Sequence, residues 1–440
     1  MPATDNQGSF LNLISIRRNQ VPIDQELDDI ELFQKHVAIR FSDLLLSTTV
    51  TATSPAPAPA PAPAATNNNS PTDDSTTAAA DTESPNAAAQ EIYTPPPPPP
   101  PPPFLSTPWF RDLLDTFLCC EAEFKAVLIL DRDPSQFSRP PLDRLIPDLL
   151  ERAVKALDVC NAISHGVDLV HQWQKLAQIA VAALQENPVG EGQVRRARKA
   201  LSTLLTSMVF DDKENASYTN PHGKSTERSW SFGRRGGSAA SKDRHAANFR
   251  PMSWSVAKSW SAAKQIQAMS ANLAAPRGAD STGPALPVYI MSSVLVFVMW
   301  ALVAAIPCQE RNGLSAHLSL PRQSSWAQPM IGMLDKIAEE WKRKEKKGTA
   351  GLLEEIQRME KVAQSLVDFA DGFVYPLEEE KATEVAALVA ELAEICHKME
   401  EGLGPLQQQV REVFHRLVRS RAEILDVLDQ VGKPSIPVPY

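Results

Sequence analysis

Apolar residues recur along most of this chain at steps of three and four, the spacing that lines one face of an α-helix. Between residues 25 and 46 they fall at Leu27, Ile30, Phe33, Val37, Phe41 and Leu44, with acids early and Arg40 late, as an amphipathic helix with a complemented dipole requires. From Pro108, a favourable first-turn proline, the stripe runs through Trp109, Leu113, Phe117, Cys120, Phe124, Val127 and Leu128. After the break DRDPSQFSRPP the pattern holds over 142–186, with Gly166 as a weak point, until Asn187, Pro188 and Gly190 stop it. A shorter helix over 193–209 gathers Arg195, Arg196, Arg198 and Lys199, a solvated face or a contact for a partner or lipid headgroup. Further helices are predicted at about 329–347, 351–374 and 376–401, then a turn at Gly402, Gly404 and Pro405. The last helix repeats Leu406, Val410, Val413, Leu417, Ile424, Leu428 and Val431, nearly a heptad seam with Arg421 in place of one apolar residue. The expected fold is all-α, an elongated multi-helix bundle whose last three helices run antiparallel.

One stretch breaks the amphipathic rule. Val288 to Ile306 carries no charge, is bracketed by Pro287 and Pro307, and includes Leu295, Phe297, Trp300 and Leu302. As a helix it would reach roughly 28 Å, close to the ~30 Å hydrocarbon core of a bilayer. Its flanks, with Lys258, Lys264 and Arg277 before and Arg311 and Arg322 after, orient nothing. Two readings stand: a helix buried on all sides of a large bundle, and a single membrane span.

Biased tracts divide the chain. Residues 1–24 read as a disordered arm, 25–46 with 108–209 as an N-terminal helical half, 252–432 as a C-terminal half including 288–306, and 433–440 as a tail. The insert 47–107 alternates Pro and Ala, turns Thr-, Asn- and Asp-rich, and closes on nine consecutive prolines at 95–103, so it builds no core. That run should form a polyproline II rod of roughly 28 Å, serving as a spacer or as a ligand for a profilin-, SH3- or WW-type proline-binding domain. Residues 210–251 are a second disordered segment. From Lys224 to Lys264 nine Lys or Arg face two acids, interleaved with aromatic residues. Trp230, Arg234, Arg235, Arg250, Trp254, Lys258, Trp260 and Lys264 therefore mark an interfacial composition suited to an acidic membrane surface or a partner groove. The alternative for 252–273 is a helix that caps the protein's own bundle. Ser229 and Ser231, beside arginines in RSWSFGRR, are phosphorylation candidates whose modification would cancel that charge. Residues 352–401 hold thirteen acids against four bases, an acidic counterpart to the basic middle.

Composition narrows the chemistry. A net charge of −9 gives no nucleic-acid signature. Five cysteines, Cys119, Cys120, Cys160, Cys308 and Cys396, make no CxxC pair and suit a reducing compartment. The N-terminus lacks an apolar signal segment, which argues against secretion. PHGKST at 221–226 has the end of a phosphate loop without its first glycine, since Tyr218 stands there. His165 and His171 lie on different sides of one helix, and neither HExxH nor GxSxG occurs. No catalytic residue, metal site or cofactor is expected.

Five separated blocks carry a resemblance: MPATDNQGSFLNLISIRRNQ, ELDDIELFQKHVAIRFSDLL, PWFRDLLDTFLCCEAEFKAVL, FRPMSWSVAKSWSAAKQIQAM and VYIMSSVLVFVMWALVAAIPCQER. In this order they resemble the plant BYPASS-related family, and within it the ROH type. The Pro-rich insert is longer than the linker expected there. The resemblance implies a helical, non-enzymatic protein tied to growth control. It also implies binding to the membrane-tethering exocyst through its seventy-kilodalton subunit, in polarised secretion such as mucilage deposition in the seed coat. The expectation is an adaptor on the cytoplasmic side of a membrane. The rivals are a single-pass protein anchored by 288–306 and a proline-rich scaffold acting through 95–103.

Overall fold

The structure, a computed structural model, describes residues 22–50, 101–129, 134–186, 189–209, 260–278, 283–308, 314, 318–345 and 350–431. The described chain forms helices α1 (Pro22–Val50), α2 (Thr107–Ile129), α3 (Leu142–Leu184), α4 (Glu191–Val209), α5 (Ala262–Ser270), α6 (Ala285–Ala305), α7 (Gln328–Glu345), α8 (Glu354–Asp371) and α9 (Glu379–Val431), with a 3-10 turn at Pro134–Ser138. No strand occurs among the described residues, so the all-α expectation holds.

The predicted stripes become the core. In α1, Ile30, Phe33, Val37, Phe41 and Leu44 are buried, whereas Leu27 at the start of the stripe stays 45% exposed. One continuous apolar cluster draws on all nine helices and on Phe137 of the 3-10 turn. Cross-helix bonds give the directions. Asp115 meets Gln409, Glu121 meets Arg416 and Lys125 meets Glu423, so α2 runs parallel to α9. Gln174 donates to the Cys396 carbonyl and Gln407 to Asp168, so α3 runs antiparallel to the same helix. Helix α8 returns against α9, with Arg358 and Glu391 3.2 Å apart.

Helix α6 lies at the centre, touching α1, α2, α3, α5 and α7. Twenty of its residues are buried, on every side, so the fold leaves it no lipid-facing or water-facing stripe. Its C-terminus is also enclosed. The carbonyls of Ala304 and Ala305, which a helix end leaves without internal partners, accept bonds from Leu352 N (3.0 Å) and Leu353 N (3.2 Å). Residues 352–353 are thus a strap across the end of α6, and the helix expected from 351 starts at Glu354.

Other boundaries depart from the expected ones. Helix α1 continues four residues into the segment assigned to the Pro/Ala insert. The turn expected at Gly402, Gly404 and Pro405 is absent, and 379–431 is one helix. Leu403 and Leu406 are both fully buried, so packing on either side of the proline carries the helix through it. Gly402 is there for another reason: a Cβ on it would overlap Thr107 Oγ1. Gly166 is likewise a contact and not a weakness, because a Cβ would run into the carbonyl oxygen of Pro307 just beyond α6. Most of 47–103, all of 210–251 and the tail 433–440 lie outside the described residues, as do the arm at 1–21 and the PHGKST stretch.

Candidate interaction surfaces

The site residues expected from sequence separate into three sets. Val288, Leu295, Phe297, Trp300, Leu302 and Ile306 are all buried and form the middle of the core. Ser229, Trp230, Ser231, Arg234, Arg235, Arg250, Trp254 and Lys258 lie outside the described residues. Trp260 and Lys264 are described. Trp260 is half-buried against the core and Lys264 is exposed. The short α5, which starts two residues after Trp260 and contains Lys264, buries Ala262, Ile266 and Met269. Ser261 caps its first turn by accepting from Lys264 N at 3.3 Å, and Arg152 of α3 holds its last carbonyls, donating to Met269 O (2.9 Å) and Ala271 O (3.1 Å). This end of the basic-aromatic stretch is therefore docked on the protein's own bundle.

Buried charges converge at three other points. On α2, Glu123 accepts from Arg40 of α1 through both carboxylate oxygens, at 2.9 and 2.5 Å, with His36 Nδ1 at 3.4 Å. Burial by itself would lower the Arg40 pKa, but the hydrogen bonds and charge of Glu123 outweigh it and the guanidinium ends above its ordinary value. Two residues earlier, Glu121 turns to the opposite side of α2 and meets Arg416 of α9 at 3.3 Å. At the start of α2, Glu355 Oε1 accepts from Thr107 N (2.9 Å) and Thr107 Oγ1 (2.8 Å), so α8 supplies the cap of another helix. The neighbouring Leu105, in the left-handed region at φ 62°, accepts from Glu354 N at 3.0 Å. These links clamp the chain directly after the proline run. Each of these carboxylates takes a guanidinium, hydroxyl or backbone donor from a facing helix, an arrangement that fixes register.

Thiol chemistry is similarly muted. Burial raises Cys119 and pushes Cys120 and Cys160 up to about 12 and Cys396 to about 11, which keeps them as thiols. Among the described residues no three His, Cys, Asp or Glu side chains come together to hold a metal.

Among the described residues the outer surface has two features with chemical character. Along α4, Arg195, Arg198, Lys199, Ser202 and Thr206 are among the residues that line an open groove. Beside it lies the α8–α9 turn, where Val374 is 74% and Tyr375 68% exposed. Exposed Asp371, Glu378, Glu379, Glu380 and Glu384 surround that turn. Arg198 pairs with Asp371, so the basic strip and the acidic turn adjoin at one end of the bundle. The sequence pattern puts this turn at 375 alone, between helices taken to 374 and from 376, whereas the helices end at Asp371 and restart at Glu379. The available signal was Phe373-Val374-Tyr375, three consecutive bulky residues that no single helix face can bury.

Fold and surface define a class: a helical protein whose buried polar groups tie helices together and whose chemically distinctive groups lie on open helix faces. The model of the family described as "Protein ROH1-like" matches residues 1–428, and the chain belongs to that family of plant BYPASS-related proteins. It is similar to Protein ROH1A of Arabidopsis thaliana, 52% identical over 448 residues and covering 99% of each chain. It is also similar to Protein ROH1D of the same plant, 47% identical over 340 residues, covering 75% of this chain and 83% of the other. No solved structure matches it.

Proposed function

We propose that this chain is a non-enzymatic adaptor that binds an exocyst subunit, the seventy-kilodalton one, at the cytoplasmic side of a membrane during polarised secretion and growth. The observation that carries the reading is membership of the ROH1-like family over residues 1–428. The interior supports an adaptor, because among the described residues the buried Glu123, Glu121 and Glu355 are each tied to another helix, by Arg40, Arg416 and Thr107. Membrane association in this reading is peripheral, through the basic stretch 224–264. A spanning role for α6 is disfavoured, since it would have to leave five helices and give up the Leu352 and Leu353 bonds at its end. Purified full-length chain mixed with purified subunit should give a stable complex in a pull-down, and failure to bind removes the exocyst reading. Carbonate extraction of plant membranes should release the protein; retention in the pellet would favour the anchored alternative. Deleting residues 95–103 should leave subunit binding intact, and loss of binding would move the reading to a proline-rich scaffold for profilin- or SH3-type domains.

A further inference from the structure

At the end of the bundle where α4 adjoins the α8–α9 turn, one patch carries both signs of charge around an apolar tip. We infer that this patch is an isologous interface with a second copy of the chain, in which each copy's α4 strip meets the acidic turn of the other. The Arg198–Asp371 pair seats the two halves of the patch edge to edge. On the basic half, Arg195 and Lys199 stand one turn apart and point outward, and Lys199 makes no ion pair among the described residues. On the acidic half, Glu378 pairs only with Lys381 in its own turn, while Glu379, Glu380 and Glu384 are exposed and make no ion pair among the described residues. Rotation by a half-turn about an axis between the halves lays positive on negative twice, the self-complementarity that a two-fold dimer requires. A patch of one sign would repel its copy.

Val374 and Tyr375 sit in the turn and are the two most exposed large apolar side chains among the described residues. An exposed aromatic beside an aliphatic, ringed by polar groups, has the composition of an interface centre. An anionic bilayer is a poor occupant, because the surrounding acids would be repelled by its surface. This inference is independent of exocyst binding.

Sedimentation velocity on the purified full-length chain tests it. The wild type should dimerise at about 0.1 M salt and shift toward monomer near 1 M, where the screening length falls from ~10 Å to ~3 Å. R195E/K199E and E379K/E380K should each weaken self-association about tenfold or more, and V374S/Y375S should do the same. An equimolar mixture of the two reversed variants should restore a dimer, because the reversed α4 strip of one then faces the reversed turn of the other, and the two unreversed halves face each other. That rescue also shows that both variants are folded. A wild type that stays monomeric overturns the inference, as does a dimer that survives either reversal. A mixture that remains monomeric overturns it as well.

Discussion

Helices α6 and α2 lie against each other in the interior, and different chemistry holds them. Helix α6 has no charge, and its placement is fixed by shape: the notch at Gly166, the ring contact of Phe41 with Phe297 at 6.0 Å, and the 352–353 strap over its end. Helix α2 is buried with Glu121 and Glu123 pointing to opposite sides, each meeting an arginine from a different helix. Apolar packing is non-directional and supplies most of the stabilisation, whereas a bidentate ion pair specifies one rotation and one register. A core made only of helices like α6 would pack in several ways.

The largest effect should come from α6. Phe297→Ala removes a fully buried ring from the centre of the core and should cost about 3–5 kcal/mol, read as a fall in the urea midpoint. A cost below about 1 kcal/mol would mean that α6 is not in the interior of the protein in solution.

The next test divides energy from register on α2. Arg40→Met leaves Glu123 buried without its guanidinium and should cost about 2–3 kcal/mol, below the usual range for buried pairs because Arg40 keeps some exposure. Arg40→Met with Glu123→Leu should recover most of that loss. If the double variant is as unstable as the single one, the pair contributes net energy and not only position.

Much of this was legible in the sequence. The stripes over 25–46 and 108–128, Leu27 apart, named residues that are buried, because a helix with one apolar face has one way to hide it. The central segment was legible as a helix but not as core, since length and hydropathy are the same for a span and for an interior helix. That distinction lies in the neighbours. The polar links were half-visible: Glu121 falls four residues after Phe117 and Glu123 three after Cys120, within the apolar stripe, where an acid needs a partner. Which arginine answers each acid depends on contacts across 83 and 295 residues, beyond any local pattern. The run GLGP at 402–405 misled for the opposite reason. Local rules read two glycines and a proline as a turn, but Leu403 and Leu406, both buried, hold the helix straight through.

Those glycines sharpen the comparison. Gly166→Ala places a methyl against the Pro307 backbone and should cost about 1–3 kcal/mol, because α6 must move. Gly404→Ala meets nothing within 4 Å and should stabilise by about 0.4–1 kcal/mol through the unfolded chain. Equal effects from the two would mean that the α3–α6 approach is looser than the structure has it.

The smallest effect is a tilt of stability with pH, and it belongs to the charged half of the comparison. Burial raises Glu121 and Glu355 above the ordinary carboxyl value of 4.5, although hydrogen bonds and nearby cations pull each partly back. A carboxyl raised on folding binds its proton more readily in the folded state. Its contribution to stability is therefore fully present below about 4.5 and is lost as pH rises through the higher folded value. Glu355→Gln keeps an oxygen for Thr107 N and Oγ1 but has no proton to lose. Urea midpoints for the wild type should fall relative to this variant as pH climbs from about 4.5, with a parallel result for Glu121→Gln. For Glu355 the difference between curves isolates the group, since the ion pairs that weaken in acid are common to both proteins; for Glu121 it also contains the loss of the Arg416 pair. Curves that stay parallel across the window would place the proton linkage on other carboxylates and leave α2 anchored by bonds whose strength does not change with pH.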